Sequence, residues 1–487
     1  MLSQKQHPVA IIGAGPIGLA AAAHIVSRGG TPLIFEAGPQ IANSIRDWGH
    51  VHFFSPWKYC VDPTVQAMLE PTGWTHPPAD VLPKGDEIVD HYLQPLADLP
   101  TIAPHIRTNH KVIAITRRRI DKMKERGRAQ APFIVRAETP NGEQRFLASA
   151  VIDASGTWTT PNPIGADGLP AIGELQLAKH IRYGIPDVLN KDLGRYADKT
   201  VAVVGGGHSA INALLELGDL QADYPNTMLH WILRKKQVAD AYGGLADDEL
   251  PGRGALGVRI KELVDAKRLE VHTPFYIGEL SEHNGKVVIG GEKEVGLHEI
   301  EVDQIIAATG SRPDLHMLRE LRIDVDTSVE SPTQLAPMID PNFHSCGSVE
   351  PHGYAELAHP EKDFYIVGMK SYGRAPTFLL LTGYEQIRSV VAALDNDMAS
   401  AKAVELQLPD TGVCCVPETL NVNIVEAACC APAETPAPAL ISLDLSLAST
   451  DCCGPDCCVP EATSVNSITL NVKVDEACCT PVAKEAA

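Results

Sequence analysis

The sequence predicts an α/β protein with two strand–helix–strand domains, each built to hold a dinucleotide, the second inserted in the first, and a loosely structured cysteine-rich tail. Three observations carry this. An apolar run, a glycine turn and a small-residue helix at residues 8–35 recur as a second such unit at 199–233. Two further apolar runs, at 150–154 and 304–308, each close in a hydroxyl residue and a glycine, Ser155-Gly156 and Thr309-Gly310. After Pro409 the composition changes abruptly, and residues 411–487 hold ten cysteines, ten acidic residues and two lysines but no aromatic, His, Arg or Met. Such a segment cannot build a conventional core. The expected partition is 1–160 and 306–400 for the two parts of the first domain, 161–305 for the second, and 401–487 for a flexible tail.

The first unit begins with Pro8-Val9-Ala10-Ile11-Ile12-Gly13, continues in a helix over about 17–27, and ends in an apolar run at 32–35. Its turn reads Gly13-Ala14-Gly15-Pro16-Ile17-Gly18, and Glu36 stands at the end of the second run. Gly13 permits the tight turn, Gly15 lets backbone approach a pyrophosphate, and Gly18 allows close helix packing, while the helix N-terminus offers positive potential to phosphate. Glu36 is placed to accept from a ribose hydroxyl. A glycine triplet alone is weak evidence, but strand, helix and acid in this order define a Rossmann-like site. The apolar stretch at 10–26 is not a membrane span, since four of its residues are Gly or Pro and it lacks the cationic start of a signal peptide.

The second unit reads Gly205-Gly206-Gly207-His208-Ser209-Ala210, with Ala210 at the close-packing position. A site for NAD would end the next strand in an acid. This chain instead gives Arg234-Lys235-Lys236, which suits the 2′-phosphate of NADPH, although a solvated basic patch has the same composition.

A formal charge of −20 and a pI near 5.3 argue against nucleic acid or a membrane surface as partner and favour an ordinary soluble protein, with a small-molecule or metalloid substrate expected. Of twelve cysteines, only Cys60 and Cys346 precede the tail. With no export signal the expected compartment is the cytoplasm, where thiols stay free or bound to something soft rather than bridged.

With both fingerprints in place, residues 8–395 resemble the two-dinucleotide-binding-domain flavoproteins, and within them the flavin-containing monooxygenase-like branch. The resemblance implies FAD in the first site and NADPH in the second. Asp153-Ala154-Ser155-Gly156 and Ala308-Thr309-Gly310 look like the family's crossings between domains. Phe364-Tyr365-Ile366-Val367-Gly368-Met369, followed by a helix at 379–391, resembles the segment that presents a helix N-terminus to the flavin, with Gly368-Met369 where the family usually has Gly-Asp. The branch's F-x-G-x-x-x-H signature is met only in part. With His180 as its histidine, Glu174 and Gln176 stand where Phe and Gly belong, and Tyr183 comes one place early.

The implied reaction is reduction of FAD by NADPH, formation of a flavin hydroperoxide with oxygen, and transfer of one oxygen to a soft nucleophile. It leaves the catalytic side chain unnamed. Arg46 and His50, in the cluster Arg46, Trp48, His50, His52, Phe53, Phe54 and Trp57, should by analogy lie near the isoalloxazine, and Arg374 is placed to position flavin or substrate. Core packing and an exposed structural arginine account for the same residues equally well.

The tail carries five adjacent pairs: Cys414-Cys415, Cys429-Cys430, Cys452-Cys453, Cys457-Cys458 and Cys478-Cys479. Cys-Cys-Val-Pro-Glu occurs at 414–418 and again at 457–461, each copy running on to another Cys-Cys, so the tail is an internal duplication. Adjacent cysteines rarely bridge each other, and the spacing is not the C-x-x-C of zinc sites. Thiolates are soft ligands, so the pairs suit a metalloid such as trivalent arsenic. The tail resembles the vicinal pairs of arsenic-handling chaperones and the C-terminal pair of mercuric reductase. Three functions follow: a monooxygenase of arsenic-resistance type, a reductase of disulfide or thiol-bound metal, or a metalloid-sequestering tail on an unrelated flavoenzyme. A redox buffer or zinc-binding tail stays open beside them.

Overall fold

In the computed structural model, residues 1–406 are described apart from 246–247, 249–250, 344–348 and 376–377. Cys346 and the tail with its ten cysteines lie outside the described residues. Strand β1 (Val9–Ile12) is buried at all four positions and pairs in parallel with β2 (Pro32–Phe35) on one side. On its other side it pairs in parallel with β7 (Ala150–Asp153). A strand covered on both faces reads as an unbroken apolar run, which is why these segments were legible. Adding β3 (Ile106–Arg107) and β16 (Phe364–Ile366) gives a five-stranded sheet of order β16-β7-β1-β2-β3.

A second parallel sheet is made of β8 (Ile181–Tyr183), β9 (Thr200–Val204), β10 (Met228–Ile232), β11 (Glu270–His272) and β15 (Gln304–Ala307). Its order is β11-β10-β9-β15-β8. Since β16 joins the first sheet after the second is complete, the second dinucleotide fold is inserted in the first.

Two antiparallel sheets complete the described fold. One comprises β4 (Lys111–Arg117), β5 (Phe133–Thr139) and β6 (Gly142–Ala148), the other β12 (Tyr276–His283), β13 (Lys286–Glu292) and β14 (Leu297–Val302). The charged stretch 117–130 next to β4 is less solvated than its composition suggests. Arg117 Nε and Arg128 Nη2 lie 2.7 and 2.6 Å from the two carboxylate oxygens of Glu361, all three side chains being buried. The trio ties this sheet to the segment entering β16.

Helix Pro16–Ser27 starts with Pro at its first position, where the missing N–H costs nothing, and buries Ala20, Ala21, Ala22 and Ala23 completely. Small side chains let it share one apolar cluster with helix Leu380–Leu394. At Gly383 an added Cβ would collide with Ile17, so the two helices meet at their N-terminal ends. Among the described residues no helix is long and apolar enough to cross a membrane.

Candidate functional site

A cavity of about 1140 Å³ opens between the two glycine turns, at the carboxyl ends of β1 and β9. That is where open parallel sheets take ligands. Gly13 has φ +99°, and a Cβ there would lie 2.7 Å from the Ala154 carbonyl. A Cβ on Gly18 would collide with the Gly13 carbonyl, while one on Gly15 would meet nothing within 4 Å and point into open space. Gly13, Gly15, Pro16, Ile17 and Glu36 line the cavity; Ala14 and Gly18 shape its wall without facing it. The Glu36 carboxylate accepts from Ala14 N–H (3.0 Å) and Gly38 N–H (2.9 Å). Burial raises its pKa, and these N–H donors oppose the rise.

The second turn repeats this geometry. Gly205 has φ +132° and leaves no room for a Cβ beside the Ala308 carbonyl, Gly207 faces open space, and Ala210 is fully buried against the sheet. Gly206, Gly207, His208 and Ser209 line the cavity, and helix His208–Leu220 begins there. Of the basic run, Lys235 lines the cavity, whereas Arg234 lies outside the lining and donates to the Ala166 carbonyl at 3.0 Å. Thr309 and Gly310 hold the crossing beneath: Thr309 Oγ1 donates to the Asn162 carbonyl at 2.5 Å, and Asn162 Nδ2 donates back to the Thr309 carbonyl at 3.1 Å. Gly368, with φ +67°, reaches the lining from the other domain. The fingerprints therefore converge on one space. Both cradles are shaped for a pyrophosphate, since each has one glycine with no atom in front of it at the start of a helix.

The three candidate catalytic residues are not brought into this space. Arg46 pairs with Asp90 (3.2 Å), Arg374 is exposed, and His50 lines a smaller side cleft. From the same segment Trp48, His52, Phe53 and Phe54 do line the cavity. Phe54 meets His208 edge-on at 5.0 Å, joining the two dinucleotide folds. The residues aligned with the oxygenase signature lie outside the lining. Glu174 is buried and accepts from Ile164 N–H (3.0 Å), Ala171 N–H (2.7 Å) and the Tyr183 hydroxyl, while a ring nitrogen of His180 lies 3.1 Å from the Asp303 carbonyl.

Sequence reasoning missed Lys370. Its ammonium lies 2.7 Å from the Asp153 carboxylate and 3.0 Å from Ser155 Oγ, both side chains of the ion pair being at most 1 % exposed, and Lys370 and Ser155 line the cavity. The only local signal was an acid at the end of β7. Cys60, the one described cysteine, is fully buried, and its thiol donates to the Ser55 carbonyl at 3.4 Å. Burial pushes its pKa up to about 12, so it stays a thiol.

In the side cleft, His50 Nε2 lies 3.7 Å from Glu216 Oε1, and Val188 N–H donates to Glu216 at 3.4 Å. Burial, with the charges of Asp187 and Asp219, lifts the Glu216 pKa from 4.5 to about 7; burial lowers that of His50. Between those two values the unfolded chain releases the Glu216 proton while the folded chain keeps it, so this group's contribution to stability falls as pH rises through the window. Glu216→Gln should therefore stabilise the protein by about 2 kcal/mol at pH 8 and leave it unchanged at pH 4. Urea denaturation at both pH values measures this.

Two glycine cradles on one cavity define the class, a two-dinucleotide oxidoreductase. The pattern of the pyridine nucleotide-disulphide oxidoreductase family matches residues 10–335, and the chain belongs to that family, whose cofactors are FAD and NADP(H). A ferredoxin–NADP reductase from Lactobacillus johnsonii is 22 % identical over 351 residues, covering 70 % of this chain and 86 % of that protein. Bacillithiol disulfide reductase from Bacillus cereus superposes with a TM-score of 0.59 at 19 % identity, over 80 % of this chain and 99 % of its own. The FAD-bound cadaverine monooxygenase DfoA from Erwinia amylovora gives a TM-score of 0.56 at 13 % identity, over 85 % of this chain and 100 % of its own.

Proposed function

We propose that this flavoprotein is an NADPH-dependent monooxygenase acting on a soft nucleophile, with a trivalent arsenical gathered by the tail cysteine pairs as its substrate class. The observation that carries the reading is the single cavity onto which Gly15 and Gly207 both open, with Glu36 and Lys235 in its wall. FAD, when bound, supplies the hydride acceptor and the oxygen chemistry. The protein's part is binding and exclusion of water. Glu36 holds a ribose hydroxyl, Lys235 meets the 2′-phosphate, and the Lys370–Asp153 pair presents a fixed charge arrangement beside Ser155. Trp48, Phe53, Phe54 and Trp158 supply apolar lining that limits water at the reacting groups. A cytosolic setting belongs to this reading, because the tail pairs must stay reduced.

The family match and the same cysteine pairs favour a second reading, a reductase of disulfide or thiol-bound metal. A third makes the tail a metalloid buffer only. NADPH oxidation and oxygen uptake, followed together with arsenite or phenylarsenite, separate them. The monooxygenase consumes NADPH and oxygen in equal amounts and only with the arsenical present; turnover indifferent to metalloid at every concentration sinks that substrate. NADPH oxidation driven by a disulfide without oxygen uptake establishes the reductase. Truncation after Pro409 that abolishes arsenite binding with unchanged turnover makes the tail a buffer. Lys235→Ala should raise KM for NADPH at least tenfold, about 1.4 kcal/mol, and leave KM for NADH unaltered.

A further inference from the structure

On the second sheet, β10 and its edge neighbour β11 run parallel with His230 opposite Glu270 and Ile232 opposite His272. Side chains two apart on a strand, and opposite across a pair, share a face. His230, Glu270 and His272 therefore project together. The ring nitrogens His230 Nδ1 and His272 Nε2 are 2.9 Å apart, and the Glu270 carboxylate approaches both, Oε2 lying 3.7 Å from His230 Nδ1 and Oε1 3.7 Å from His272 Nε2. All three ligand atoms fall within 4.8 Å of one another. A tetrahedral ion with bonds near 2.05 Å needs donors about 3.3 Å apart, a value that these separations bracket.

We propose that His230 Nδ1, His272 Nε2 and a Glu270 oxygen form a binding site for a borderline divalent cation, zinc by its geometry and donor set. Two imidazoles and one carboxylate suit zinc better than calcium or magnesium, which prefer all-oxygen sets. His272 is buried and Glu270 largely exposed, so the ion enters from the surface and keeps water as its fourth ligand. The site lies apart from the cavity, none of its three residues being in the lining. It is bonded to the strand end that carries the basic run. Leu233 N–H donates to the His272 carbonyl at 3.0 Å, Phe275 N–H donates to the Leu233 carbonyl at 2.8 Å, and the Thr273 hydroxyl donates to the Lys235 carbonyl. A bound ion pins the edge strand to β10 and with it the backbone of Leu233 to Lys235.

The test uses tag-free, full-length, FAD-loaded protein whose accessible thiols have been alkylated with iodoacetamide, so that the tail cysteines do not compete, and Zn2+ as the probe. Equilibrium dialysis should give one zinc per chain, with a rise in Tm. Glu270→Gln, a change at an exposed position that leaves the fold intact, should weaken this zinc at least tenfold, and His230→Gln should abolish it, with flavin content and zinc-free Tm unchanged in both. Should His230→Gln fail to fold, the Glu270→Gln affinity decides alone. No zinc bound by the alkylated protein, or equal affinity in wild type and Glu270→Gln, overturns the site. The readout is metal stoichiometry, so it stands or falls independently of any turnover assay.

Discussion

Lys370→Met should cost about 3–5 kcal/mol of stability and strip the protein of its flavin, because it leaves the Asp153 carboxylate buried without its cation. Asp153 is fully buried at the end of β7, and the Lys370 ammonium is its ionic partner. Its remaining local bonds, from the Ser155 hydroxyl at 2.6 Å and the Ser155 N–H at 3.1 Å, cannot compensate a charge held away from water. Adding Asp153→Asn to Lys370→Met removes the stranded charge and should restore a large part of the loss. Urea denaturation of the two single variants and the double, with flavin absorbance measured on each, gives the coupling. A loss below about 1 kcal/mol in Lys370→Met would show that the pair is solvated in solution.

Gly207→Val should raise KM for NADPH about 100-fold, equivalent to about 2.8 kcal/mol, while the protein folds and keeps FAD. Gly207 has φ −96° and ψ 176°, extended backbone that valine adopts readily, and its Cβ would meet no protein atom within 4 Å. The added side chain occupies the space where the pyrophosphate must approach. Gly205→Val is the contrasting control: φ +132° and the Ala308 carbonyl forbid a Cβ there, so that variant should fail to fold. Gly15→Val, at φ −82° with the same open surroundings, should transfer the effect to FAD and spare the nicotinamide site. Steady-state kinetics and flavin content distinguish the three. Equal NADPH affinity in Gly207→Val and wild type would remove this turn from the nucleotide site.

Both glycine turns were legible because they state local demands. A positive φ at Gly13 or Gly205 and a close helix approach at Gly18 or Ala210 are consequences of backbone geometry within a few residues, and strands buried on both faces leave an unmistakable apolar run. The antiparallel strands at 111–148 and 276–302 left no such trace, since register shifts between Val112 and Ala114 and between Ile277 and Glu279 break their alternation. The aromatic segment after β2 borders the cavity through Trp48, His52, Phe53 and Phe54. Which of its members face inward, Trp48 and Phe54 but not Arg46 or His50, depends on the turns of a short irregular stretch that carries no period.

By itself, then, the sequence determined the fold class, the order of the two nucleotide-binding units, and the residues at each turn. Tertiary structure alone decided what stands around them. Lys370 meets Asp153 across 217 residues, Arg117 and Arg128 converge on Glu361 across 244 and 233, and His230 reaches His272 across 42. Partners at such separations are chosen by which strands and turns the tertiary fold brings together. A charged or imidazole side chain looks the same in sequence whether its strand end faces water or another strand, and only the assembled sheets remove the water that makes the pairing matter.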